Sequence, residues 1–348
     1  MKHAYNRPRL TRRQFCALSA GGIIGAIGSA ASPTLNAQPE SAPAASPPNP
    51  PPTPSAAPTV ALARDPSIWE GEGVKINPAA LRRLLDRALC LALGQDDPLR
   101  AWQSIIQPAD VVGIKVNCLG GRTIATRIEL AQAVVDSLLQ AGVPAGNIII
   151  WERSDRDLEA GGYTVQKSPG QVRCMGSPGL APQTLTVAGV ETRLSILAAE
   201  ACTALINLAA LKTHGMAGFS GALKNNMGAI PNPGKLHPDA CLAVADLNAL
   251  APLRGKTRLA ILDALRPLYN EGPMDHPAYR YKFHALIAGT DSVAVDRVGL
   301  ACLEEKRASV RSGSWPLQPL PLYLRRAGEL GLGQADLTRI NVVREERS

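Results

Sequence analysis

Residues 211–228, LKTHGMAGFSGALKNNMG, hold two lysines, a histidine, an asparagine pair and four glycines, directly after the apolar run ALINLAAL. Lys212 and His214 are two apart, so on extended backbone they point the same way. Lys115 and Asn117, closing the run ADVVGIKVN, repeat that spacing. A lysine leaving a buried strand toward a crevice places a cation where water is partly excluded, which strengthens its attraction to a carboxylate or phosphate. Gly215, Gly218 and Gly221 leave room for a ligand to approach backbone amides. A helix beginning near Ser220 would turn free N–H groups toward an anion, with Lys224 and Asn225 about one turn in. The pattern points to a site for a small anionic group.

Chemistry follows from the residue types. Lys115, Lys212 and Lys224 are expected to clamp the anion, with Asn117 and Asn225 fixing its orientation. His214 titrates near neutrality when unperturbed and is the natural general acid or base. Lys212 beside it and Asp263, as its orienting partner, complete the expected catalytic set. Proton transfer at a carbon next to a carboxylate, of the racemase, isomerase or lyase kind, suits such groups. The same donors would also serve a binding or carrier protein for an anion or a metal complex, or a redox protein whose cofactor the sequence does not identify. His214, His237 and His276 with Asp263 offer metal-ligating atoms, but their spacing matches no ligand motif. GxxxxGK[ST] is absent, and no GxGxxG follows the first strand, which argues against a nucleotide triphosphatase and weakens a dinucleotide reading.

These groups need elements to hold them. ADVVGIKVN (109–117) reads as a strand, RIELAQAVVDSLLQAG (127–142) as a helix stopped at Gly142, and NIIIWE (147–152) as a second strand. Together they make a βαβ unit with a parallel strand pair. TALINLAAL (203–211) and TRLAILDAL (257–265) read as further strands. HALIAGTDSVAVDRVGLACLEEKR (284–307) reads as a strand, a turn and a helix. LYLRRAGELGLGQADL, near the C-terminus, looks like another helix. The fold class expected is α/β, a mostly parallel sheet with helices on both faces and Rossmann-like layering, with irregular insertions about 153–200 forming a possible subsidiary lobe. Lys115, Asn117, Glu152, Asp155, Lys212, His214, Asp263, Asp291 and Asp296 all follow or end strands. If those strands are parallel, most of them share the rim where open α/β sheets bind ligands. Asp291 has a second reading as the N-cap of the helix after it.

The ends carry a different message. TRRQFCALSAGGIIGAIGSAASPTLNA places Arg12 and Arg13 before a short, glycine-rich apolar segment, and LNA offers cleavage after Ala37. Residues 1–37 read as a twin-arginine export signal, not a membrane span, which implies the export machinery as a partner and the periplasm as destination. Residues 38–58 hold nine prolines and read as a disordered tether. The α/β domain then occupies 60–348, with no transmembrane segment expected in the mature chain. Five of the 37 basic residues and none of the 29 acidic ones precede residue 38, so the net charge of +8 falls to +3 once the signal is removed. That balance, with few aromatics, gives no footprint for nucleic acid. Cys90, Cys118, Cys174, Cys202, Cys241 and Cys302 lack CxxC spacing and are expected as buried small hydrophobes, although a periplasmic protein could form a disulfide.

VVGIKVN, INLAALKTHGMAGFSGALKNNMG, AILDAL and IAGTDSVAVDRVG resemble, in that order, the signature segments of the domain of unknown function family 362, which is bacterial and archaeal. The resemblance covers about residues 105–305. It implies a shared site on Lys115, Asn117, Lys212, His214, Lys224, Asn225, Asp263, Asp291 and Asp296, without naming a reaction. Members of the family with ferredoxin-type clusters exist, but this chain lacks their cysteine set.

Overall fold

The computed structural model describes residues 57–71 and 75–347. The twin-arginine segment and residues 38–56 of the proline-rich stretch lie outside the described residues.

The chain begins its sheet with β1 (Thr59–Arg64), then forms α1 (Pro78–Leu93) and α2 (Pro98–Ile105) before β2 (Val112–Val116). Helix α3 (Ile128–Gln140) leads to β3 (Ile148–Glu152), followed by α4 (Asp155–Ala160) and β4 (Arg173–Gly176). The long strand β5 (Ala204–His214) turns into β6 (Gly218–Ser220) and the single-turn α5 (Ala222–Asn225). After short helical turns across 233–256 come β7 (Thr257–Leu268), β8 (Ala285–Gly289), α6 (Ser292–Val310), α7 (Leu322–Glu329) and β9 (Asn341–Glu346).

Local chemistry sets these boundaries. Asn77 accepts a hydrogen bond from the Ala80 amide and Pro78 opens α1, while Gly94, at φ 62°, ends it in the left-handed conformation. Every residue of β2, β3, β5 and β8 is buried. Such near-continuous apolar runs belong to strands covered on both faces. Alternation along β7 sends Leu259, Ile261 and Leu265 into one core and Ala260, Leu262 and Ala264 into the other. Helices α1, α2 and α3 pack on the first side, and α5, α6 and α7 on the second.

The nine-stranded sheet has the order β9-β1-β8-β7-β5-β2-β3-β4, with β6 added antiparallel on β5. Strands β4, β3, β2, β5 and β7 are parallel, as expected of this α/β fold. Strand β8 runs antiparallel to both neighbours, β7 and β1. This corrects the expectation of one shared rim: Asp291, after the end of a reversed strand, is carried to the opposite rim, where the parallel strands begin. The cause is the connection, since residues 269–284 contain no crossover helix and the chain folds back on itself. β1, β9, α1 and α2 were not expected from the sequence; β1 and β9 pair with each other and extend the sheet at one edge. The described residues form one compact unit, and 153–200 supply the edge strand β4 and a small hairpin at 185–192. Among the described residues no helix is long and apolar enough to cross a membrane.

Helix α5 is too short to hold itself, and Asp296 of α6 anchors it. One carboxylate oxygen accepts from the Ala222 amide at 2.6 Å and the other from Leu223 at 2.9 Å. Gly221 makes the approach possible, because a Cβ there would lie 2.2 Å from Asp296 Oδ1. Asp296→Ala leaves two buried amides without partners and should lower the unfolding free energy by about 3 kcal/mol. Urea unfolding measures this; a loss below about 1 kcal/mol would show that α5 is held by packing alone.

Candidate functional site

The site is built at the carboxyl ends of β2, β3 and β5, roofed by α5. Lys115 leaves β2 fully buried and donates to Glu152 Oε1 at 2.8 Å, to the Val116 carbonyl at 2.7 Å and to Asn225 Oδ1 at 3.2 Å. Its ammonium also sits 5.5 Å from the Trp151 ring centroid. Three acceptors use all three N–H groups of the lysine. Gly228 provides the space, since a Cβ there would be 2.8 Å from Lys115 Nζ and 3.1 Å from Glu152 Oε1. Lys115 is therefore neutralised and locked by Glu152, and is not a clamp open to a ligand.

Lys212 differs. It is 1 % exposed and donates to Asn117 Oδ1 at 2.7 Å and to the Leu119 carbonyl. No carboxylate lies within ion-pair distance of it among the described residues. Burial, only partly offset by Cys118 and Glu152, brings its pKa down to about 7. Two acceptors match the two N–H groups of a neutral amine and leave its lone pair without a partner. This is the arrangement of a base poised near neutral pH.

Asparagines connect the lysines. Asn117 Nδ2 donates to Asn225 Oδ1 at 3.4 Å, and Asn225 Nδ2 donates to the Lys115 carbonyl at 3.1 Å and to Asn207 Oδ1 at 2.9 Å. Asn207 Nδ2 reaches Asn226 Oδ1, and Asn226 Nδ2 reaches Asn248 Oδ1. Asn225 thus has both ends of its amide committed to the protein. It positions Lys115 and does not face a ligand, contrary to the sequence expectation.

The third lysine, Lys224, points the other way off α5. Its Nζ lies 2.9 Å from Met227 Sδ and 3.4 Å from His237 Nε2, with no carboxylate partner among the described residues. Burial lowers its pKa, while Cys241 works in the opposite direction. His237 stacks on His214 with ring centroids 5.8 Å apart. His214 Nδ1 accepts the Met216 amide at 3.1 Å, so the neutral ring carries its proton on Nε2. Burial first, then Lys224, His237 and Lys212, push the His214 pKa down to about 2. With the Met216 amide on Nδ1 and a lowered pKa, the ring presents Nε2–H as a donor, which disfavours the proton-accepting role expected from its residue type.

Three expected residues lie elsewhere. Asp263 points to the face opposite Lys115 and binds Arg127, accepting its backbone amide at 2.9 Å and pairing with its guanidinium at 3.3 Å. It cannot orient His214. Asp291 accepts the Val293, Ala294 and Gln334 amides and is the N-cap of α6. Asp296 holds α5, with burial raising its pKa to about 7 against the pull of its two amide bonds. Of the nine residues expected to share a site, Lys115, Asn117, Lys212, His214, Lys224 and Asn225 come together. Glu152, expected only at the strand-end rim, His237, expected only as a metal-ligating residue, and Cys241, expected only as a buried hydrophobe, join them. Among the described residues no three His, Cys, Asp or Glu side chains could hold a metal ion, and the six cysteines are buried and unpaired. A cavity of about 400 Å³ opens beside Thr213 and His214.

The family model described as Domain of unknown function (DUF362) matches residues 112–301, from β2 to the middle of α6, and includes the whole lysine cluster. A crystal structure of a Thermotoga maritima protein, a structural-genomics target, aligns with 75% of this chain and 61% of its own at 12% identity, TM-score 0.39. The lactate racemase apoprotein from Thermoanaerobacterium thermosaccharolyticum aligns with 66% of this chain and 53% of its own at 15% identity, TM-score 0.38. In both cases this chain spans less than two thirds of the other protein's length. No curated protein matches the sequence.

The Lys212 pKa has a thermodynamic consequence. The folded state releases this proton near pH 7, whereas the unfolded lysine keeps it to about 10.5. Between those values the unfolded chain binds more protons, so stability rises with pH. The wild type should gain on the order of 2 kcal/mol over Lys212→Met between about pH 7 and about pH 9. Parallel stability–pH curves for the two proteins would contradict a depressed Lys212.

Proposed function

The chain belongs to the Domain of unknown function (DUF362) family, and on the geometry of its site we propose that it is an enzyme moving a proton at a carbon beside the carboxylate or carbonyl of a small anionic substrate. The observation that carries this reading is the burial of Lys212 against two neutral acceptors with no carboxylate beside it, which lowers its pKa to about 7. Lys212 takes the proton from carbon, and the electron pair moves onto the adjacent carbonyl oxygen. The Nε2–H of neutral His214 donates to that oxygen, as a fixed neutral imidazole can without itself giving up a proton. The amine of Lys224 lies close by, and the Lys115–Glu152 pair with Asn117 holds the Lys212 amine in place. Return of the proton to the other face of the same carbon, or to a neighbouring carbon, would make the enzyme a racemase or an isomerase. Because Lys212 also bonds the Leu119 carbonyl, a substrate that reaches the amine must take that carbonyl's place.

Hydrogen–deuterium exchange tests the chemistry. Small oxo and dicarboxylic acids incubated with the protein in D2O should exchange their α-hydrogens, followed by NMR. The rate should climb from about pH 6 to about pH 8 as Lys212 loses its proton. Lys212→Met should abolish exchange, and His214→Ala should slow it by roughly a hundredfold or more with affinity kept. Binding without exchange at any pH would favour a second reading, an anion carrier; the observation on its side is that the cavity is lined by Thr213 and His214 and not by Lys212.

The compartment belongs to the same proposal: the chain acts in the periplasm after export through the twin-arginine route. Replacing Arg12 and Arg13 together by lysine should leave the protein in the cytoplasmic fraction. Unchanged periplasmic recovery would remove the export reading.

A further inference from the structure

Beyond the lysine cluster, the cavity of about 400 Å³ beside His214 is walled by residues of the C-terminal part of the chain: Arg307, Trp315 and Gln318, with Asn270 and Glu271 from the β7–β8 connection. Arg307, Trp315 and Gln318 lie past the family-matched span, which ends at residue 301. Arg307 is 4 % exposed. Its Nε donates to the Trp315 carbonyl at 2.9 Å, Nη1 to the Tyr269 carbonyl at 3.0 Å and Asn270 Oδ1 at 2.8 Å, and Nη2 to the Pro316 carbonyl at 3.2 Å. A guanidinium has five N–H groups, so one on Nη2 has no acceptor among the described residues. Nor has Arg307 a carboxylate within ion-pair distance among them, although its plane is backed by the Trp315 ring at 3.9 Å. A buried, rigidly held cation with one unused donor, on the wall of a cavity, is a feature of ligand sites.

We infer that this cavity is the recognition subsite for a monocarboxylate carried on an apolar body, with Arg307 as its counter-charge and the Trp315–Leu317 wall around the body. It deepens the proton-transfer reading by giving the substrate class, and it rests on that reading for the chemistry at His214 but not for binding. A single unused N–H on a single guanidinium suits a monoanion. A phosphate dianion would need more donors and would meet the Glu271 carboxylate on the same wall. Trp315, Pro316 and Leu317 supply apolar surface that a bare anion would leave uncovered.

Arg307 holds three backbone carbonyls, so its removal would test the fold as much as the site. Exposed Gln318 touches none of those bonds. Titration calorimetry on the full chain with phenylacetate, acetate and inorganic phosphate reads the proposal. Phenylacetate should bind about tenfold more tightly than acetate because its ring is buried. Gln318→Glu, which adds a negative charge to the wall, should weaken phenylacetate about tenfold, and Glu271→Gln should strengthen it. Equal affinity in all three proteins, tighter binding of phosphate than of phenylacetate, or no binding of any probe would overturn the assignment. Lys212→Met separates the two ideas. If it binds phenylacetate like the wild type while no protein shows exchange, the subsite stands and the proton transfer falls. If exchange continues with unchanged KM in Gln318→Glu, the subsite falls and the chemistry stands.

Discussion

Three lysines are buried at one end of the sheet, and only Lys115 has a carboxylate within ion-pair distance among the described residues. That imbalance governs the rest of the site. Removing an ammonium from water is costly unless it is paired, and an unpaired one responds by giving up its proton. Glu152 pairs with Lys115 and fixes it; Lys212, with two neutral acceptors, moves to a pKa of about 7. Burial, and after it the neighbouring Lys224, His237 and Lys212, lower the His214 pKa to about 2. One carboxylate against three lysines thus sorts chemically similar residues into a structural cation, a base and a hydrogen-bond donor.

The frame around them is rigid because polar groups satisfy one another. Asn117, Asn225, Asn207, Asn226 and Asn248 form a continuous buried chain of amides running from Lys212 to the helical turns at 243–248. Such a network is stabilising only when each member is paired, so it tolerates one arrangement and fixes the lysine positions. Asp296 extends the same logic to α5 by taking two of its amides.

Much of the α/β fold was legible in the sequence, because β2, β3, β5 and β7 are buried runs too apolar for anything but a covered strand. The direction of β8 was not. ALIAG has the same composition whichever way it runs, and only the absence of a helix in 269–284 reveals the reversal. The cluster itself was legible in part: Lys and Asn or His two apart at strand ends do converge. What spacing could not give was the partner of each charge. Asp263 and Lys115 lie on strands of one sheet, yet alternation sends them to opposite faces, and Asp263 meets Arg127 instead. His214 looks like a base by type, and only its burial among cations shows otherwise. Arg307 carried no signal in the sequence, because Thr213, His214 and Asn270, which share its cavity, come from distant stretches of the chain.

The protonation state of Lys212 is the claim on which the chemistry depends. An NMR titration of protein labelled with carbon-13 at the lysine side chain, with the Lys212 signal assigned by its absence in Lys212→Met, measures it directly. The structure calls for a midpoint at about 7. A Lys212 resonance that titrates with the surface lysines near 10.4 would contradict the account.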